Sequence, residues 1–154
     1  FDWKGLDFSV TGSGQFGMQV MQYYRTAQLA NPYDNFTQDI FERWHGEGTS
    51  NTQPRLILAG DNNQWVSTRY MQDADFFRIQ NVTLGYDFNK LWKGSPFQQL
   101  RLYVQAQNLY TFTGYTGVDP EIGSSGGKDS WARGIDVGLY PTSRTYLVGV
   151  NIKF

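Results

Sequence analysis

Cysteine is absent and His45 is the single histidine. The first absence excludes disulfides and thiolate metal sites; the second excludes a multi-histidine metal cluster and leaves little for a histidine-based triad. Charge of one sign is also missing, since 13 Lys+Arg stand against 14 Asp+Glu with no block of either. That balance supplies neither a nucleic-acid footprint nor an acidic tail. No run approaches the roughly 20 apolar residues of a membrane-spanning helix, and the densest, Leu56 to Ala59, is far too short. Any membrane role therefore falls to strands or a surface. The N-terminus, FDWKGLDF, has neither an initiator Met nor the architecture of a signal peptide, and reads as a piece of a chain.

What is present favours strands and turns. Aromatic residues make up 17% of the 154 positions and Gly contributes 17 of them, while charged residues fall to 18%, against about 25% in a typical soluble domain. Two-residue alternation recurs in four segments, near 4–20, 76–88, 99–113 and 144–154. In the first, Leu6, Phe8, Val10, Phe16, Met18 and Val20 share one parity. In the second, Val82, Leu84, Tyr86 and Phe88 do so, but Arg78 and Gln80 break the pattern upstream. Either a bulge shifts the phase there or that end leaves the apolar layer. The third segment alternates from Leu100 to Phe112, and the fourth from Tyr146 to Phe154.

Strands of about ten residues match a tilted bilayer crossing. Their connectors run long (21–75), short (89–98) and long (114–143), the asymmetry of outer-membrane barrels, and aromatics stand near the strand ends where interfacial girdles belong. A soluble β-sandwich is the alternative, with the same alternation and the aromatics as core. On the barrel reading four strands cannot close, because open edges in lipid leave N–H and C=O groups unpaired. The remaining staves come from elsewhere.

Several motifs point to other chemistry. GSGQFG, Gly12 to Gly17, fits a dinucleotide-binding turn before a plausible helix at MQVMQYYRTAQLA. Its strand is polar on one side, however, where a dinucleotide fold needs both faces buried. Asp119 and Glu121 are candidates for paired carboxylates or a calcium site, or, more simply, for turn chemistry around Pro120. NFT at Asn35 and NVT at Asn81 match glycosylation sequons and are discounted. A short helix is predicted within NFTQDIFERW, and Trp44, Trp65, Tyr115, Trp131 and Tyr140 are loop aromatics suited to stacking on sugars or to loop packing.

DADFFRIQNVTLGYDF, LRLYVQAQNLYTFTGYTGVDPEIG and GIDVGLYPTSRTYLVGVNIKF resemble, in order and spacing, the C-terminal end of the SusC/RagA-like TonB-dependent transporters of the Bacteroidota. The resemblance implies an all-β fold: about the last four strands of a 22-stranded transmembrane antiparallel barrel, with long extracellular loops and a plug domain outside this chain. It implies import of oligosaccharides or peptides across the bacterial outer membrane with a SusD-like surface lipoprotein, energised through TonB contacts made elsewhere, with no catalysis, cofactor or metal in this segment. Tyr115, Asp119, Glu121, Trp131 and Arg133 become candidates to face lid or ligand. Tyr146, Val148, Val150, Ile152 and Phe154 fit the terminal signal read by the outer-membrane assembly machinery. Rival readings are a porin or adhesin barrel and, more remotely, a soluble nucleotide-binding enzyme.

Deleting Phe154 from the full-length protein is expected to lower the amount of folded, heat-modifiable barrel in the outer membrane. Unchanged assembly counts against the terminal-signal reading.

Overall fold

The computed structural model describes residues 1–30, 33, 35–57, 62–92, 94–121 and 134–154. Among these, the strands are β1 (Asp2–Trp3), β2 (Leu6–Gln15), β3 (Gln19–Gln22), β4 (Met71–Asp73), β5 (Phe76–Asp87), β6 (Gln99–Thr113), β7 (Ile135–Asp136) and β8 (Thr145–Lys153). One α-helix, α1 (Tyr23–Ala30), and short 3-10 turns complete the described elements. The chain divides into two units: Phe1–Phe16 with Asp75–Gly114 and Thr142–Phe154, and Gly17–Ala74 with Tyr115–Pro141.

The first unit is an open five-stranded antiparallel sheet in the order β1-β2-β5-β6-β8. Alternation in each strand gives it two chemically distinct faces, because side chains directly opposite in a ladder share a face. Phe8, Leu84, Val104 and Val148 form one such row, flanked by Leu6, Tyr86, Leu102 and Val150 on one side and by Val10, Val82, Ala106 and Tyr146 on the other. The next row along the strands, Ser9, Thr83, Gln105 and Leu147, belongs to the opposite face and is polar except for Leu147. A one-residue slip of any strand would exchange the faces, so the pattern pins the register.

The irregular end of β5 resolves as a bulge. Thr11 pairs with Asn81 and Gly12 with Ile79, which leaves Gln80 without a partner, and the β6 register shifts at the same level between Gln107 and Tyr110. The extra residue reverses the phase of β5. Phe77 and Ile79 thereby join the apolar face opposite Phe112 and Tyr110, while Arg78 turns to the polar face opposite Ser13 and Thr111. There Arg78 is 3% exposed and donates from Nε to Thr111 Oγ1 at 2.9 Å and from Nη1 to Thr142 Oγ1 at 3.3 Å. Gly12 serves this arrangement, since a Cβ there would lie 2.8 Å from the Phe77 ring and 3.0 Å from the Arg78 carbonyl. The GSGQFG glycines thus begin inside a strand, where a close approach requires them, rather than in a phosphate-binding turn.

At one end of the sheet lie the tight turns. Trp3 and Leu6 pair across Lys4 and Gly5, whose φ values of 51° and 93° make the two-residue turn that matches strand twist. The connector from Phe88 to Gln98 lies at the same end, as does Phe154, whose ring meets Phe97 edge-on at 5.4 Å. This corrects the single strand expected near 4–20. Residues 4–5 are a hairpin turn, β2 stops at Gln15, and beyond Gly17 (φ 74°) the chain enters β3 of a different sheet.

The second unit holds that sheet, in the order β4-β3-β7, antiparallel on one side and parallel on the other. Val20, Ala74 and Tyr115 are its buried core, with Met18 packed against them. Residues 21–75 and 114–143, expected as loops, therefore contribute strands, α1 and a 3-10 turn at Gln38–Glu42 inside the predicted helical stretch. The strands are too short, at two to four residues, to show alternation.

In the full-length protein in a lipid bilayer, Val104→Arg should cost about 2 to 4 kcal/mol if near the midplane, and Gln105→Arg far less. Urea unfolding of the two variants checks this. Equal losses would mean that the faces are wrongly assigned.

Candidate functional site

The apolar face of the sheet is uncovered. Phe8, Val10, Phe77, Leu84, Leu102, Val104, Tyr110, Phe112, Tyr146, Val148, Val150 and Ile152 are each at least 41% exposed. A soluble domain does not leave a contiguous layer of this size in water. Aromatics gather at both ends, with Phe16, Phe77, Tyr110, Phe112 and Tyr146 at one and Trp3, Phe88, Trp92 and Phe154 at the other; between them the residues are mainly aliphatic. That banding is what an interface, a hydrocarbon layer and a second interface select.

The polar face carries an organised cluster. Arg101 reaches Asp7 with two hydrogen bonds, Nε to Oδ1 at 2.8 Å and Nη2 to Oδ2 at 2.5 Å, a fork-to-fork pair. The path between them crosses Gly85, where a Cβ would lie 2.5 Å from both groups. The same guanidinium stacks on the Tyr103 ring, 4.9 Å from its centroid, and Tyr103 in turn lies over Gly149, where a Cβ would come within 2.4 Å of it. Two glycines thus let two large side chains lie flat along the sheet. Such a cluster keeps charge on the face away from the apolar layer.

In the second unit the chemistry centres on Asp136, which is 1% exposed. Its carboxylate accepts from the Tyr115 hydroxyl at 2.7 Å and from the Gly138 N–H at 2.8 Å. Burial, and then the bond to Asp136, push the Tyr115 hydroxyl well above its ordinary 10.0. Tyr24 is raised as well, by burial first and the Asp136 charge second. Nearby, fully buried Gln22 donates weakly to Gln72 and Thr116 and accepts from Arg25 Nη1 at 3.1 Å, while the Thr116 hydroxyl donates to Gln72 at 2.7 Å. This unit also contains a cavity of about 50 Å³, enough for a few waters, lined in part by Arg25, Arg43, Arg55, Arg69 and Asp39. Asp39 is held by Arg25 and by the Thr37 hydroxyl.

The residues predicted as candidates are distributed unevenly. Tyr115 is 6% exposed and spends its hydroxyl on Asp136, and Asp119 is 4% exposed and accepts from the Glu121 N–H at 3.0 Å, as turn chemistry requires. Glu121 is exposed. Trp131 and Arg133 lie outside the described residues. Among the described residues, no three His, Asp or Glu side chains converge as a metal site would need. Sequence reasoning missed Asp136, Gln22 and the Asp7–Arg101 pair, whose partners are far apart in sequence. GID at Gly134 to Asp136 is a weak turn signal, and only the alternation hinted at Asp7.

Comparison with known proteins places this geometry. No family model matches the sequence. The chain is 30% identical, over 99% of its length, to TonB-dependent receptor P3 of Formosa agariphila, and 31% identical, again over 99%, to TonB-dependent receptor SusC of Bacteroides thetaiotaomicron. It superposes over 99% of its length on a solved structure of the RagAB peptide transporter, with a TM-score of 0.76 and 25% identity. The chain is a segment of a SusC/RagA-like TonB-dependent receptor. It spans 15% and 14% of the two curated relatives and 16% of the solved chain. The open sheet is accordingly a partial wall of a SusC/RagA-like barrel, with one apolar face and one polar face that carries Asp7, Arg78 and Arg101.

In the full-length receptor, Tyr115→Phe should destabilise the Asp136 region by about 1 to 3 kcal/mol through the unpaired buried carboxylate oxygen. Faster amide exchange over residues 18–22 and 134–138 is the readout. Because the folded Tyr115 value is raised, its contribution is fully present below pH 10.0 and is lost as pH rises above that value. This alkaline loss should be absent in the variant.

Proposed function

We propose that this chain forms part of the wall of an outer-membrane, TonB-dependent nutrient importer of the SusC type, which takes up oligosaccharides or peptides with a SusD-like surface lipoprotein. The observation that carries the reading is the two-faced sheet, which aligns over 99% of the chain with a transporter whose reported cargo is peptide. The apolar face with its aromatic bands fits lipid contact in the outer membrane. The inward face offers fixed charges and amides rather than a catalytic pair. In a 22-stranded barrel such a face lines the space occupied by plug and cargo, and the plug and the TonB contact belong to other parts of the longer receptor.

The second unit is the part proposed to meet lid or ligand in water at the cell surface. Its anchoring network, Tyr115 to Asp136 and Gln22 to Thr116 and Gln72, holds a polar scaffold. Glu121, Trp131 and Arg133 are the candidate contacts, Trp131 and Arg133 lying outside the described residues. Tyr115 and Asp119, both buried, act as the scaffold's posts. An immobilised scaffold reduces the ordering cost when cargo binds.

Deleting the full-length gene from its own bacterium should abolish uptake of one class in a panel of labelled oligosaccharides and peptides. Collapse of the proton gradient should abolish it equally, and a surface lipoprotein should co-purify with the receptor. Residual uptake that tracks concentration and ignores the gradient would replace the importer with a porin.

A further inference from the structure

The turn end of the sheet carries a groove with an apolar lining and two lysines. It encloses about 690 Å³ and is lined by Trp3, Lys4, Leu6, Tyr86, Lys90 and Leu91, with Asp2 and Gly5 completing it. Trp3, Leu6 and Tyr86 are one cross-strand row of the apolar face, so the groove is continuous with the layer read as lipid-facing. Trp3 and Leu91 are 58% and 70% exposed. Two ammonium groups belong to this groove. Lys4 Nζ sits 4.9 Å from the Trp3 ring centroid, and the Lys90 stem lies across the turn, 2.7 Å from where a Cβ on Gly5 would be. Neither lysine has an ion-pair partner among the described residues.

We propose that this groove binds an anionic glycerophospholipid, with its phosphate between Lys4 and Lys90 and its acyl chains along Leu6, Phe8 and Leu84. The proposal rests on the membrane reading of the sheet. Charge complementarity carries it: two lysines and one aspartate leave one net positive charge, which a phosphodiester neutralises. Both lysines are exposed, and beside an apolar layer they offer the kind of basic cluster that attracts an anionic headgroup at a membrane surface. The apolar lining selects a lipid over free phosphate, because phosphate alone would leave Trp3, Leu6, Tyr86 and Leu91 wet. The volume agrees, since it is that of a site for a ligand far larger than an inorganic ion.

The test is native mass spectrometry of the full-length receptor in detergent, with dioleoyl phosphatidylglycerol added, comparing the parent protein with Lys4→Gln/Lys90→Gln. The double variant should retain the lipid about tenfold less, and Leu91→Asn, which leaves the charges intact, should also retain less. Equal retention in parent and double variant overturns the site. Full displacement of the lipid by inorganic phosphate overturns the choice of lipid over phosphate. A heat-modifiable band in each variant shows that the barrel has folded. Failure of the membrane reading looks different, because the receptor would then need no detergent to stay in solution.

Discussion

The hydrogen-bonded ladder joining β2, β5, β6 and β8 is the constraint on which the rest depends. A strand in hydrocarbon has no water to satisfy its N–H and C=O groups, so every one must be met by a neighbouring strand. Once the ladder is fixed, register is fixed, and with it the assignment of each side chain to lipid or lumen. The apolar rows through Val104 and the polar rows through Gln105 follow from that single requirement. So do the glycines. A ladder at fixed spacing leaves no freedom to move strands apart, and room for the Arg101 fork and the Tyr103 ring has to be made by deleting side chains at Gly85 and Gly149.

The two units solve the problem of cohesion in opposite ways. The sheet buries almost nothing within itself and relies on backbone bonding, leaving its apolar surface exposed, as the proposed lipid contact requires. The second unit has a minimal apolar core of Val20, Ala74 and Tyr115, and takes its definition from buried polar groups. Buried amides and carboxylates tolerate few arrangements, because each must find its partner. Asp136 with Tyr115, and Gln22 with Gln72 and Thr116, specify a shape that so small an apolar cluster would not.

Legibility in the sequence tracked the length of the repeating pattern. β5, β6 and β8 each run for at least nine residues, and their alternation announced both strand and face. The interruption at Arg78 and Gln80 was visible as a fault, although only the register identified it as a bulge. The hairpin at Lys4 and Gly5 was missed because β1 shows only two residues, too few to announce a strand before the turn. β3, β4 and β7 were missed for the same reason. The inner-face pair Asp7 and Arg101 and the buried pair Tyr115 and Asp136 join positions 94 and 21 apart, and such pairing is set by topology rather than by local pattern. Asp119 was readable because its turn is local.

The bulge at Gln80 separates two properties that a strand normally ties together. In a regular strand, adding or losing one residue reverses the facing of everything beyond it. In β5 the surplus residue already stands outside the pairing. Gln80 is therefore the position at which chain length and facing are uncoupled in β5: its loss would join Ile79 directly to Asn81 with Arg78 still inward and Phe77 still outward. A residue gained or lost within the regularly paired part of β5 would instead turn Phe77 or Leu84 to the polar face.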